Sequence, residues 1–333
     1  GRSDSHPKTM SSVRVHPEVL SALAEQRPVV GLESAVITHG LPKEPRPELL
    51  QKLGAPFENK SHLPVHLALA EVMEESVRES GAIPATTAVI KGELVVGLTE
   101  AERHDLAHHP SAIKAAPHRL STMIATKATG GTTVGGALIL LRRGHADLKV
   151  LATGGIGGVH RGWSNRPDIS ADLTVLAHTP LMCVCAGAKI ILDAVATFEA
   201  LETLGIPVLG CGCDSFPRFH APGDGTLPIH SCPPQEAARI AQAHWKIASG
   251  GILITQSPPA PWALELETLE TVTQQSVASV TASGPDATPA LLRALDQASS
   301  GQALLANLAL LRHNAVLASG LAAEHLQPLH HDL

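Results

Sequence analysis

Two kinds of apolar pattern alternate along this chain. Short β-branched or continuous apolar runs at 29–37, 83–90, 94–98, 148–153, 181–186 and 251–255 have the length of buried strands. Apolar residues at helical spacing mark 16–26, with Pro17 at an early helical position, and 65–80, closed by Gly81. The same spacing marks 169–177, 188–204, 263–283 and 302–325. Lys91 and Gly92 join 83–90 to 94–98 as a hairpin. Strand alternating with helix predicts an α/β fold, three layers deep (α/β/α), with a mixed central sheet. Residues 43–63 lie in a proline-rich stretch of mixed charge and read as a long loop or an inserted arm. Residues 1–14 read as a tag or a disordered arm, and 15–328 as a single domain without repeat, low-complexity block or linker.

Composition narrows the function classes. In 333 residues, 44% are hydrophobic and 17% charged, enough to bury a sizeable core. The formal charge of −6 and the absence of basic runs exclude the electrostatic footprint of a nucleic-acid binder. Three Trp, four Phe and no Tyr leave little from which to build a base-stacking platform. The apolar run 181–188 is too short to span a bilayer, no signal peptide opens the chain, and a cytoplasmic location is expected. Five cysteines do not read as a disulfide framework. Cys183/Cys185 and Cys211/Cys213 are C-x-C pairs in strand-like runs; they lack the usual zinc-ligand spacing and read as buried, inert thiols.

Several positions carry candidate chemistry, each with a plainer reading beside it. Gly154-Gly155-Ile156-Gly157-Gly158 follows a strand but is not a G-x-G-x-x-G dinucleotide fingerprint. Its glycines either bring backbone N–H groups close to a phosphate or sugar, or simply make a tight turn. Glu33 sits among apolar strand residues, where desolvation raises a carboxyl pKa and suits a general acid; the alternative is a solvent-edge Glu. Lys189 follows an uncharged run and is either an imine-forming amine or a lysine that snorkels from the strand end. Asp168 and Asp172, four apart, either face a hard divalent cation together or serve a helix start, which Asp168 or Ser170 would cap. Thr132-Thr133-Val134 precedes an apolar helix and either holds a phosphate or only caps that helix.

Their order along the chain resembles one family. The segments GLESAVITHGLP (31–42), GAIPATTAV (81–89), ATGGIGGVHRG (152–162), DISADL (168–173) and VCAGAKIILD (184–193) match the pattern of the pseudouridine-5′-phosphate glycosidases, the indigoidine synthase A-like group. So do LETLGIP (201–207), the stretch 216–219, TPALL (288–292), and Asn307 with Asn314. The resemblance covers about 15–325. It implies a catalytic pair, Lys189 as the Schiff-base amine and Glu33 as the proton donor, with Asp168 holding Mn²⁺ or Mg²⁺. Substrate binding falls on Lys114, Thr133, Val134, Thr153, His160, Ser170, Ala171 and Asp172, with Asn307 reading the uracil edge. It also implies a homotrimer.

The chemistry suits these residue types. A C-glycoside has no heteroatom leaving group, so the carboxylate-pair route of O-glycosidases serves it poorly. An imine at C1′ of ring-opened ribose 5-phosphate supplies an electron sink, and the neighbouring C–C bond can form or break. The chain departs from the family pattern at 116–120, at Cys211 and His220 (each in place of a usual Tyr), at 256–260, and in the longer stretch 43–63. These departures concern the aglycone side. They point first to C-ribosylation of an aromatic, polyketide-type acceptor, as in the alnumycin-type branch, and second to cleavage of pseudouridine 5′-phosphate into uracil and ribose 5-phosphate. A catalytically silent sugar-phosphate binder would have no need of Lys189, and a Schiff-base aldolase would leave Asn307 unexplained.

Overall fold

The computed structural model describes residues 13–280 and 287–328. Its eleven strands are β1 (Arg14–Val15), β2 (Val29–Leu32), β3 (Ile83–Ile90), β4 (Glu93–Val96), β5 (Ile113–Ala115), β6 (Gly130–Thr132), β7 (Val150–Ala152), β8 (Met182–Cys185), β9 (Val208–Gly210), β10 (His230–Ser231) and β11 (Ile252–Thr255). They form one sheet in the order β1-β4-β3-β2-β7-β8-β11-β9-β10, with β5 and β6 branching from β3. From β3 to β10 the main path is parallel; β3 runs antiparallel to β4 and β6, so the sheet is mixed. The β3–β4 turn places Lys91 (φ 48°) and Gly92 (φ 80°) both in the left-handed region, the geometry a two-residue hairpin needs.

Helices cover both faces, giving the three layers. On one face Pro17–Ala24, Val134–Gly144 and Ala171–Ala177 bury Val19, Leu138, Leu141 and Leu173 against Leu151 and Cys183. On the other, Val65–Glu79, Pro234–Ile247 and Gln302–His325 bury Leu69, Ala241, Leu308 and Ala315 against Val30, Val150 and Val184. Gln302–His325 is long and apolar enough to cross a membrane by composition, yet 67% of its apolar window is buried inside the protein. It lies over β2, β7 and β8 as a core helix.

β3 changes partners midway. Ile83–Thr86 pair with β2, whereas Ala88 and Val89 pair with β6. At the divergence the hydroxyls of Ser34, Thr87 and Thr132, all buried, bond one another and the local carbonyls; Thr87 Oγ1 and Thr132 Oγ1 are 2.8 Å apart. A polar cluster of this kind satisfies carbonyls that the splitting ladder would otherwise leave unpaired.

Several sequence expectations are corrected. The strand at 29–37 ends at Leu32, and Ala35–Thr38 turns helical. Residues 43–63 are no open loop: Pro47–Leu53 is a helix with Leu50 fully buried, and Glu58–Lys60 is a 3₁₀ turn. Residues 1–12 lie outside the described residues, but Arg14, placed in the arm from sequence, is in a strand and pairs with Val95, next to the Val15–Val96 pair. The helix at 188–204 begins only at Ala194, and that at 169–177 only at Ala171. The helix at 263–283 runs Leu266–Ser279, and residues 281–283 lie outside the described residues. Glu100–Ala107, Pro234–Ile247 and Ala287–Ala298 are helices not singled out from the sequence.

Candidate active site

The chain leaves β2 towards β3 on one side and leaves β7 towards β8 on the other, although β2 and β7 are neighbours. Such a switch point opens a crevice at the carboxyl ends of the strands, where α/β folds bind ligands. Glu33 follows β2 and Thr153 follows β7, so the two face one another across that crevice, with Thr153 Oγ1 3.5 Å from Glu33 Oε1. A cavity of about 360 Å³ opens there.

Every residue given a catalytic, substrate-binding or metal-holding role by the resemblance lines this cavity. Glu33 and Lys189 meet in it, with Thr153 between the strands. Lys114 enters from β5, and Thr133 and Val134 from the end of β6. His160, Asp168, Ser170, Ala171 and Asp172 come from the segment after β7, and Asn307 from Gln302–His325. Lys189 lies in the loop 187–193, where Gly187 has φ 87° and a Cβ would meet Pro217 O at 2.1 Å. Only glycine fits there, so the C-A-G-A-K string turns out of β8 without displacing the 216–219 stretch.

Burial raises the Glu33 carboxyl pKa; the Lys189 ammonium pulls it partly back, as does the Val36 N–H that bonds Glu33 Oε2 at 3.2 Å. A carboxyl so placed holds its proton to higher pH than an exposed one. The thiols, by contrast, are kept from reacting: burial pushes Cys185 up to about 12 and Cys183 well above the ordinary value, and all five cysteines are free.

Asp172 is structural in its contacts. Its two oxygens accept the N–H groups of Gly135 and Gly157, each at 2.8 Å, tying the helix after β6 to the glycine loop after β7. It is therefore not paired with Asp168 on one helix face, which corrects the spacing argument. Asp168 precedes the helix, about half exposed, with Oδ2 3.8 Å from His160 Nδ1. Ser170 caps that helix by accepting Asp172 N–H at 3.1 Å, and Thr133 caps Val134–Gly144 by accepting Gly136 N–H at 3.2 Å. The plainer reading of both positions is thus present in the structure beside their place in the cavity wall.

Among the described residues no group of three or more His, Cys, Asp or Glu is arranged to hold a metal ion. A dedicated protein cage is absent from them. A hard cation needs less: one carboxylate, waters and substrate oxygens suffice for Mg²⁺ or Mn²⁺. The exposed Asp168 carboxylate on the cavity wall fits that arrangement.

Some contributors were missed. Asn314 is fully buried; its Nδ2 donates to Thr153 O at 2.8 Å, while its Oδ1 accepts from Gln256 Nε2 at 3.0 Å. Asn314 and Gln256 were visible only as motif positions; a buried Asn two turns after Asn307 in an apolar helix was the available signal. His39, His118 and Phe219 also line the cavity. Cys211 and 256–260 do not, and His220 lines an adjoining space, so the departures at these positions do not reshape the reaction cavity directly.

Comparison with known proteins fits this picture. The model of the indigoidine synthase A like protein family matches residues 59–324. The chain is 37% identical over 326 residues to a pseudouridine-5′-phosphate glycosidase of Deinococcus radiodurans, covering 96% of this chain and 97% of that protein. It is 40% identical to one of Chloroflexus aurantiacus, covering 93% and 97%. Among solved structures, the prealnumycin C-glycosynthase AlnA in complex with ribulose 5-phosphate superposes with a TM-score of 0.81 at 32% identity, covering 95% and 98%. An indigoidine synthase A (IdgA)-like protein of Thermotoga maritima gives 0.80 at 29% identity, covering 95% and 97%. Fold, crevice and relatives together define an α/β enzyme of the glycosidase type. Within that class the chain belongs to the indigoidine synthase A-like family.

Proposed function

We propose that this enzyme cleaves pseudouridine 5′-phosphate to uracil and ribose 5-phosphate, a reaction that can also run towards C–C bond formation. The observation that carries the reading is the meeting of Glu33, its carboxyl pKa raised by burial, with Lys189 in one cavity at the switch point. The curated relatives bear the glycosidase name, which reverses the order of the two readings drawn from sequence.

In this reading Glu33 protonates the ring oxygen as the furanose opens, and Lys189 Nζ bonds to C1′. The C1′–C5 bond then breaks, its electrons and a proton going to C5 of uracil, and C1′ is left as an imine of Lys189. Water hydrolyses the imine, releasing open-chain ribose 5-phosphate and restoring the amine. One water is consumed overall. Lys114, Thr133, Val134, His160, Ser170 and Ala171 are assigned to the sugar phosphate, with Asp172 setting the loop geometry, and Asn307 to the uracil edge. Mn²⁺ or Mg²⁺ on Asp168 would supply a charge to hold sugar oxygens. The deciding experiment is release of uracil from pseudouridine 5′-phosphate; no release over the enzyme-free rate ends this reading.

C-ribosylation of a larger aromatic is the second reading, favoured by the likeness to the C-glycosynthase structure. A cytoplasmic homotrimer completes the proposal. Sedimentation would measure the oligomer.

A further inference from the structure

Lys189 lines two cavities. One is the reaction cavity; the other, of about 270 Å³, is also lined by Arg161, Asp193, Arg218 and Glu270. Leu192 lines both as well, so this part of the loop 187–193 stands between two open spaces. A segment with space on either side lacks close-packed neighbours there, and hydrogen bonds must hold it. Two of them are backbone bonds: Lys189 N–H donates to Ile156 O at 3.2 Å, and Asp193 N–H to Val159 O at 2.8 Å. Two carbonyls between these points go to a side chain instead. Arg161 Nη2 donates to Ile190 O at 3.2 Å, and Arg161 Nε to Leu192 O at 3.3 Å. Leu192 N–H in turn donates to Lys189 O at 2.9 Å, closing a turn directly onto the lysine.

Glu270, on the helix Leu266–Ser279, accepts from Nη1 and Nη2 of the same guanidinium at 3.3–3.4 Å. The two side chains are 36% and 39% exposed, so their ion pair adds little stability by itself. Its effect is to orient the planar fork, leaving Nε and Nη2 turned to the two carbonyls. Arg161 also follows His160, whose N–H donates to Asp168 O at 2.9 Å. One guanidinium thus joins the segment bearing His160 and Asp168 to the loop bearing Lys189.

We propose that Arg161, held by Glu270, is the positioning residue for Lys189: its fork fixes the loop 187–193 so that Nζ meets C1′ of the sugar. The inference rests on the imine reading above and adds the residue that aims the amine. Arg161 is not among the residues lining the reaction cavity, so it acts through the loop and not on the sugar. A lysine at 161 would keep the charge towards Glu270 but has no planar fork to span two carbonyls.

The test compares Arg161→Gln, Arg161→Lys and Glu270→Gln with the unaltered protein in two measurements. Amide hydrogen exchange of the free protein reads the loop. The Lys189, Leu192 and Asp193 amides should exchange about tenfold faster in Arg161→Gln, the scale of a lost hydrogen bond, with those of β7 and β8 unchanged. Unchanged loop exchange overturns the proposal. Turnover of pseudouridine 5′-phosphate reads the aim: kcat should fall about a hundredfold in Arg161→Gln, the scale of a misplaced reacting group, with KM nearly constant. Glu270→Gln should show a smaller fall, and Arg161→Lys a partial recovery. A rise in KM at constant kcat would make Arg161 part of the sugar wall, and full recovery in Arg161→Lys would make its charge sufficient; either overturns the proposal. Glu270→Gln, a change on a partly exposed side chain, covers the case in which the Arg161 variants do not fold. Faster loop exchange in it supports the latch, and unchanged exchange overturns it. Should the unaltered protein neither cleave the substrate nor form a borohydride-trapped adduct on Lys189, the imine reading fails, and the exchange measurement still decides whether Arg161 holds the loop.

Discussion

Asn314 reaches from the long C-terminal helix to hold the carbonyl of Thr153 at 2.8 Å, fixing the end of β7 where Thr153 faces Glu33. It acts through Thr153 and is a positioning residue. Replacing it by Leu keeps the volume but strands the Thr153 carbonyl and the Gln256 amide in the core. We expect a loss of about 1–3 kcal/mol in stability and a fall in kcat larger than any rise in KM. Thermal melting and steady-state kinetics on Asn314→Leu check both, and an unchanged Tm would refute the clamp.

Lys189 is expected to be trapped. Borohydride reduction in the presence of ribose 5-phosphate should leave a mass increase on Lys189 and none on Lys114, although both line the cavity. Lys189→Ala should lose at least about three orders of magnitude in kcat, the scale of removing a nucleophile. An adduct on Lys114 would reassign the amine.

Glu33 should set a pH limit. Because burial raises its pKa, it stays protonated above the pH at which an exposed carboxyl ionises, and activity that needs its proton should decline as pH rises through that raised value. The linked stability has the same sign: the folded-state pKa exceeds the unfolded one, so Glu33's contribution is complete below the unfolded pKa and is lost as pH rises through the folded one. Glu33→Gln should cut kcat by about 10²–10⁴ and abolish that limb of the kcat/KM profile. A limb that persists in the variant belongs to another group.

The cation should bind with substrate. Asp168 offers one exposed carboxylate, so Mn²⁺ should bind weakly to the protein alone and more tightly once ribose 5-phosphate is present. Electron paramagnetic resonance of Mn²⁺ with and without the sugar reads this directly. Asp168→Asn should remove the sugar-dependent component, and chelation should lower turnover until Mn²⁺ or Mg²⁺ is restored. Tight binding to the free protein, or binding unaffected by Asp168→Asn, would place the metal elsewhere.

The sequence revealed the strands because a parallel sheet covered on both sides leaves continuous apolar runs, and those at β3, β7, β8 and β11 fall within a residue or two of their expected places. The set of cavity residues was legible through long motif strings, not through spacing. Asp168 and Asp172 show the difference. Four residues apart suggests one face of a helix, yet the helix starts between them and Asp172 is occupied by two backbone amides. Residues 43–63 misled because five prolines in 41–64 suggest a loop, whereas Pro47 stands at a helix start, where its missing N–H does no harm. Pro234–Ile247 carries its apolar residues Ala237, Ala238, Ala241 and Trp245 at helical spacing after a proline pair, so this helix was legible in the sequence.

The far end of the chain has a say in when the enzyme becomes reactive. An amine able to attack sugar aldehydes is a hazard on an unfinished chain. By the time synthesis reaches β8, Glu33, Thr153 and the segment leading to Lys189 have been made, but Asn307, Leu311 and Asn314 have not. Until the last helix lays itself over β2, β7 and β8, the Thr153 carbonyl has no clamp and the crevice is open to water on that side. A ribosome-stalled or proteolytically shortened product lacking that helix would carry Lys189 and Glu33 without the wall that Asn307 and Leu311 supply, so on the proposed chemistry reactivity would be deferred to the completed polypeptide.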